Sequence, residues 1–305
     1  MTTNVTSILS LTDEEFDRWI DLSMAAPVKT LAGRGVALIF ERPSLRTRSA
    51  CEVAIADLGG YAVTFQGSEV GLGERESAAD VARTLAQNFT LTAWRVRQHD
   101  VFAEAAAATG PELGYLNLLS NRAHPTQAIA DVLTLAEHAG GLASLAGMTV
   151  TYIGDAANVS RSLAAALIRL GVHVRVSSPA GYDLHAATAA RISAASRGGG
   201  SLTLVADPAD AVRGTNAIYC DAFISMGDEA QREQRLVDLA PWQLNSELFA
   251  TAPHDAVVLH CLPAHRGEEI TDDVIDDPRS LIWRQVAFRR HAVRGALRLI
   301  EEGRS

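Results

Sequence analysis

Four stretches of the 305-residue sequence concentrate side chains that could handle charged groups, and a fifth poses a question of its own. In IFERPSLRTRSACEVA (39–54) an apolar run ends at Phe40, Pro43 stiffens a turn, and Ser44 is placed to cap the helix that follows. Backbone N–H groups at that helix start, joined by Arg46 and Arg48, make an anion site. The plainer alternative is a capped helix with solvated arginines, Arg48 pairing with Glu52 one turn on. We assign Arg46 to a ligand and Arg48 to structure. In SNRAHPTQAIADVLTL (120–135) His124 precedes a proline at the first position of a helix, so that its ring and Gln127 face the helix mouth. A neutral imidazole there could donate to a carbonyl oxygen gaining charge during acyl transfer, or it could merely cap the helix.

YIGDAANVSRSLAAALIRLG (152–171) reads as strand, turn and helix, the layout of a dinucleotide-binding unit. It lacks G-x-G-x-x-G, and Ala156 and Ala157 stand where such a loop needs glycine, which argues against a nicotinamide cofactor. Asn158, at the helix start, remains a candidate for holding a carboxylate. In CDAFISMGDEAQ (220–231) Asp221 falls at the end of a strand, where open α/β sheets bind ligands. It could pair with an ammonium group, with Ser225 and Met226 adding polar contacts; the alternative is an acid that only caps a turn. LHCLPAHRGEEI (259–270) admits three readings. His260, Cys261 and His265 could be metal ligands, but their spacing is not that of a zinc site and no cluster supplies a fourth ligand, so no metal is assigned. Cys261 could be a nucleophile, which would require a general base. The reading that fits an apolar strand ending in a proline-stiffened loop is a tight backbone cradle, with Cys261 a polarisable neighbour of an incoming amine and Asp221 nearby.

The bulk of the chain sets limits on these readings. Lys+Arg 27 against Asp+Glu 36 gives −9, so no general basic surface exists for nucleic acid, and an anionic substrate must rely on locally concentrated arginines. Three cysteines without framework spacing point to free thiols in a reducing compartment. The N-terminal stretch lacks the basic start and apolar run of a signal peptide, and no apolar stretch approaches the ~18 residues that span a bilayer. The expected location is cytoplasmic.

Nine short β-rich runs are separated by amphipathic or alanine-rich segments. Strands are predicted at 36–40, 61–65, 91–94, 115–119, 148–153, 172–177, 201–205, 216–220 and 256–260, and helices notably at 46–58, 77–88, 125–138, 158–170, 183–197 and about 280–302. Almost wholly apolar strands between helices predict an α/β fold with two domains, each a mostly parallel sheet flanked by helices and carrying about four strands. Gly140-Gly141 marks a division: a first domain over 1–137, a second over 138–279, and a C-terminal helix within 280–305 packing back on the first.

Ser-x-Arg-Thr-Arg, His-Pro-Thr-Gln, Gly-Asp-x-x-Asn-Val, Asp-x-x-x-Ser-Met-Gly and His-Cys-Leu-Pro occur in the order seen in the ornithine carbamoyltransferases, which the sequence resembles from about residue 30 to about 300. The last two motifs separate it from aspartate carbamoyltransferases. The resemblance implies transfer of a carbamoyl group from carbamoyl phosphate to the δ-amine of L-ornithine, giving citrulline and phosphate, as in arginine biosynthesis. It implies a homotrimer with shared active sites and no metal or organic cofactor. On the matching positions, Ser44, Leu45, Arg46 and Thr47 would hold the phosphate, Arg95 would reach the same ligand, His124 and Gln127 would meet its carbamoyl end, and Arg289 would close over the carbamoyl group from the last helix. Cys261 and Leu262 would contact the carbamoyl group, and Asn158, Asp221, Ser225 and Met226 would hold ornithine. Arg46, His124, Asp221 and Cys261 would carry the chemistry: arginines neutralise the leaving phosphate, His124 and Arg46 stabilise charge on the carbonyl oxygen, and Asp221 and Cys261 position the amine. Domain closure is the expected water-excluding step.

Three positions depart from the family pattern. Leu45 replaces the usual threonine between Ser44 and Arg46. Glu69, in GSEVGLGERES, stands where a glutamine usually reaches the phosphate of a neighbouring subunit, and Arg75 is a candidate to compensate. Phe288 replaces a polar residue before Arg289. These leave open the exact amine acceptor, so a carbamoyltransferase for a related amine is the second reading. A non-catalytic paralogue is the third.

Overall fold

The computed structural model describes residues 2–224 and 229–304. The chain divides into two compact units, Met1–Ala130 with Ala287–Ser305, and Asp131–Val286. In the first, β1 (Asn4–Val5), β2 (Gly35–Phe40), β3 (Tyr61–Gln66), β4 (Leu91–Arg95) and β5 (Gly114–Leu119) form a parallel sheet in the order β1-β5-β4-β2-β3. In the second, β6 (Thr149–Ile153), β7 (His173–Ser177), β8 (Ser201–Leu204), β9 (Ala217–Cys220) and β10 (Val257–His260) are likewise all parallel, in the order β10-β9-β6-β7-β8.

All nine predicted strands are present. The expectation of about four strands per sheet is corrected to five in each. The first sheet gains β1, a two-residue edge strand on β5, too short to carry a period. The second contains all five of the later β-rich runs. Helix Asp13–Met24, not among the predicted helices, opens on a capping box: Thr12 Oγ1 accepts from Glu15 N at 3.2 Å and Glu15 Oε2 from Thr12 N at 3.0 Å.

Central strands are covered on both faces, which explains their unbroken apolar runs. Val36 to Ile39 in β2 are fully buried. Trp94 meets Tyr115 edge to face with centroids 5.6 Å apart, and its indole N–H donates to Thr92 Oγ1 at 2.6 Å, so the polar end is satisfied inside the core. In the second unit Tyr152 and Tyr219 stack at 5.7 Å from the adjacent strands β6 and β9, and most of helix Asn158–Ile168 is buried. No helix among the described residues is long and apolar enough to cross a membrane.

Strand order decides where a ligand can settle. From β2 the chain moves to β3 on one side and then to β4 on the other; from β6 it moves through β7 to β8 and then returns to β9 on the opposite side. Each sheet therefore has a reversal point, between β2 and β4 and between β6 and β9. Loops leaving the strand ends diverge there and open a crevice for ligand.

The helix Ile282–Arg304 packs its final part on helix Asp13–Met24. Trp19 Nε1 donates to Ala292 O at 2.8 Å, and Arg294 Nη2 donates to Ser23 O and Ala25 O at 3.0 and 2.8 Å. Gly295 lies at the crossing, where a Cβ would fall 2.8 Å from Ser23 N and closer still to Ser23 Oγ. Backbone cannot yield as a side-chain tip can, so Gly295→Ala should cost roughly 1–3 kcal/mol of stability. A lowered urea midpoint at constant slope is the expected result; an unchanged midpoint would mean that the two helices have room to spare.

Candidate active site

In the first unit Ser44 to Thr47 and Arg95 follow the two strands of the sheet reversal, and Arg289 and His124 join them through side-chain contacts. Phe40 ends β2, and Ser44 then caps helix Leu45–Asp57, its Oγ accepting from Thr47 N at 3.4 Å. Leu45, Arg46 and Thr47 form the first turn; the Leu45 side chain is 78% exposed, so what it offers near Ser44 is its backbone. Thr47 is buried, and its hydroxyl is where the site converges. Arg95, the last residue of β4, donates to Thr47 Oγ1 from Nη1 at 3.4 Å, and Arg289, from the C-terminal helix, donates to the same oxygen at 2.8 Å. The same Arg289 Nη2 lies 3.3 Å from His124 Nε2.

That last contact fixes the state of His124. A guanidinium can only donate, so Nε2 accepts and the ring's single proton sits on Nδ1. Burial pushes the imidazole well below its ordinary 6.5, and the charges of Arg289 and Arg95 push it further the same way. His124 precedes helix Pro125–Ala139, whose Ala128 N–H reaches His124 O at 3.2 Å, and Gln127, one turn on, is buried. Arg48, by contrast, bonds Glu52 Oε1 at 2.7 Å on the helix surface, as its assignment to structure anticipated.

In the second unit Asp221 and Asn158 follow the two strands of the reversal, β9 and β6. Asp221 Oδ1 accepts from Ala222 N at 2.8 Å and from the Cys261 thiol at 2.7 Å, so this predicted pair is brought together across adjacent strand ends. Asn158 begins helix Asn158–Ile168, its carbonyl accepting from Ser162 Oγ at 2.9 Å. Ser225 and Met226 lie outside the described residues.

The His-Cys-Leu-Pro turn is held by a network that sequence reasoning missed. Leu262 is the only non-glycine residue among those described with a positive φ, 58°, and a cis bond links it to Pro263. A left-handed leucine is strained by on the order of 1 kcal/mol or more. Its N–H donates to His260 Nδ1 at 2.8 Å, so the His260 proton is on Nε2, which faces Glu269 Oε1 at 3.2 Å. His260 and Glu269 are both fully buried, and Glu269 Oε1 also accepts from His265 N at 2.6 Å. The His260 N–H donates to Gln285 Oε1 at 2.9 Å, and Gln285 Nε2 donates to Asp131 Oδ1 at 2.8 Å. Two of these partners leave a trace in the sequence: Asp131 lies at i+7 from His124, and Gln285 at i−4 from Arg289, each on the face of its helix that carries a singled-out residue.

Two clusters of potential metal ligands occur among the described residues, Asp221 with His260 and Cys261, and His265 with Glu268 and Glu269. In the first, both ring nitrogens of His260 are already engaged, so a cation would meet two ligands rather than three.

The chain matches the family models of the aspartate/ornithine carbamoyltransferase carbamoyl-P binding domain over residues 3–137 and of the Asp/Orn binding domain over residues 146–300. It belongs to the aspartate/ornithine carbamoyltransferase family. It is 43% identical over 272 residues to an ornithine carbamoyltransferase of Ignicoccus hospitalis, covering 88% of this chain and 86% of that protein. An anabolic ornithine carbamoyltransferase of Pyrococcus furiosus is 42% identical over 280 residues, covering 91% and 87%. The solved structure of ornithine carbamoyltransferase from Pyrococcus furiosus superposes with a TM-score of 0.91 at 36% identity, covering 98% of this chain and 97% of that one.

Within this carbamoyltransferase family the departures take on structural meaning. Glu69 turns back onto its own short helix, Gly67–Val70, where its carboxylate accepts from Gln66 N. Arg75 donates to the carbonyls of Glu69 and Val70 and so braces the loop from within. Phe288 packs edge to face on His291 with centroids 5.4 Å apart.

Because the folded chain holds His124 neutral below 6.5 while the unfolded chain protonates near that value, the unfolded state binds more protons as pH falls. His124 therefore takes stability away below about pH 6.5 and costs nothing above it. In a nitrogen-15 correlation spectrum His124 should remain neutral, protonated on Nδ1, as the pH falls through about 6.5, where an ordinary imidazole is half protonated; a ring that titrates near 6.5 would contradict the packing against Arg289.

Proposed function

We propose that this chain is an ornithine carbamoyltransferase, with its first unit taking carbamoyl phosphate and its second taking L-ornithine. The observation that carries the first half is the convergence of Arg95 and Arg289 on Thr47 Oγ1 beside a helix start that bears Arg46. A phosphate oxygen could accept from such donors and from the backbone N–H groups of Ser44 to Thr47. The match to an Asp/Orn binding domain and the names of the relatives support the second half.

The chemistry follows from charge. The carbonyl of the carbamoyl group gains negative charge as the amine adds to its carbon, and Arg46 with His124 and Gln127 supplies donors there. The neutral state of His124 suits a hydrogen-bond donor that does not surrender its proton. The tetrahedral centre then collapses with loss of phosphate, which takes the proton given up by the attacking amine and whose charge Arg95, Arg289 and Arg46 offset, so departure needs no covalent enzyme intermediate. Asp221 holds the amine end of ornithine with Cys261 beside it, Leu262 and Cys261 are assigned to the carbamoyl group, and Asn158, Ser225 and Met226 to the α-amino and α-carboxylate groups. Orientation of two bound reactants supplies much of the rate. The assembly we propose is a homotrimer in the cytoplasm.

A second reading, carbamoylation of a related amine, is favoured by one feature: the exposed Leu45 where the family pattern has threonine, beside a Glu69 whose carboxylate is tied to Gln66. An amine panel assayed for ureido product with carbamoyl phosphate separates the two. Citrulline formation from ornithine exceeding that from every other amine is expected, and absence of turnover with ornithine would sink the proposal. Arg46→Ala should lower kcat/KM by about 10²–10³-fold; an unchanged rate, or none in the parent protein, would favour a non-catalytic paralogue.

A further inference from the structure

The residues assigned to ornithine in the described part of the second unit follow two neighbouring strand ends. One loop leaves β6 and carries Asp155 and Asn158; the other leaves β9 and carries Asp221 and Phe223. The two loops touch at Gly154, whose φ is +107° and where a Cβ would lie 3.3 Å from the Phe223 ring. Between them stands a side chain from elsewhere. Arg235, on helix Arg232–Leu239, is buried, donates from Nε to Phe223 O at 2.8 Å, and pairs through Nη2 with the Asp155 carboxylate. Its guanidinium lies over the Tyr182 ring, 5.0 Å from the centroid. The Tyr182 carbonyl in turn accepts from Ala156 N at 2.8 Å, and the Tyr182 hydroxyl donates to Asp238 Oδ2 at 2.9 Å, one turn along the helix of Arg235.

We propose that Arg235 is a positioning residue for the amino-acid substrate: one guanidinium sets the spacing between the Asn158 loop and the Asp221 loop. The proposal rests on the assignment of those residues to ornithine. This role requires arginine. A planar fork can serve a carbonyl, a carboxylate and a ring face at once, whereas a lysine ammonium is a point charge that meets one of them. Every member of this arrangement belongs to the second unit, so its loss should be felt by one substrate.

Steady-state kinetics of the whole protein with carbamoyl phosphate and ornithine test this through Arg235→Lys, Asp155→Asn and the double variant. Each single change should raise the ornithine KM at least tenfold, with the carbamoyl phosphate KM within twofold and a near-ultraviolet circular dichroism spectrum like that of the parent. The double variant should show little more than the larger single effect, because either change already breaks the same link. A merely structural ion pair would instead lower the active fraction, moving kcat while leaving the ornithine KM within twofold; that result, or multiplication of the two single effects, overturns the proposal. If Arg235→Lys fails to fold, Asp155→Asn, which preserves shape, decides alone. Asp221→Asn separates the layers: should it leave the ornithine KM unchanged, the assignment itself falls and the role of Arg235 with it. Should Asp221→Asn raise that KM while Asp155→Asn does not, the role of Arg235 alone is wrong.

Discussion

Two guanidinium groups directed at one buried hydroxyl set the terms for the first unit. Like charges repel most strongly where water is scarce, and the rigid elements that carry Arg95 and Arg289 hold them close. Arg95 ends a central strand, and Thr47 is fixed by the Ser44 cap in the first turn of its helix. Arg289 reaches the hydroxyl only because the last helix returns to this unit and is tied there, Trp19 to Ala292 and Arg294 to the carbonyls of Ser23 and Ala25. Arg290, the next residue, pairs with Asp57 at the far end of the capped helix and holds that carboxyl below the usual range. The neutral His124 follows first from its burial and then from the same crowding of positive charge. On the proposed reading an incoming dianion would relieve the repulsion, and this is how a chain of net charge −9 would hold one.

Both units solve the placement problem with the same wiring. A parallel sheet whose strand order reverses leaves two adjacent strand ends with loops running apart. Ser44 to Thr47 and Arg95 flank the reversal in one sheet, and Asn158 and Asp221 flank it in the other. What differs is the chemistry hung on the wiring: converging donors in the first unit, and in the second a carboxylate, a thiol and a braced backbone turn. Asp221 and Cys261 meet because β9 and β10 pair in register, His260 opposite Cys220, which puts the next residue of each strand side by side.

Much of this was legible in the sequence for a definite reason. A strand buried on both faces must be apolar throughout, so β2, β4, β6, β9 and β10 announced themselves, and the residue types just past their ends marked the candidate site. Elements with weaker burial constraints escaped. β1 is two residues long, and helix Asp13–Met24 was signalled by its Thr12–Glu15 capping box rather than by spacing that drew notice. Long-range partners were least visible. Glu269 lay inside a quoted motif without a role, because nothing local says that a glutamate nine residues on will be buried against His260. Arg235 and Asp155 are 80 residues apart, and the pairing of two common charged types over that distance leaves no pattern in a single sequence.

In the second unit the bonds around Cys261 favour a cradle over a nucleophile. A carboxylate can only accept, so in its bond to Asp221 the thiol is the donor and keeps its proton. A nucleophilic cysteine would need a base to take that proton, and the adjacent His260 has spent both nitrogens, one on Leu262 N–H and one on Glu269. The histidine of this motif therefore serves the backbone, stabilising a leucine in a left-handed conformation that its own side chain disfavours. The cysteine serves the carboxylate, limiting how that group turns. The bonds of His260 and Cys261 leave neither as a base, so on the proposed reading what the turn would contribute to an amine is a fixed position and a defined direction of approach.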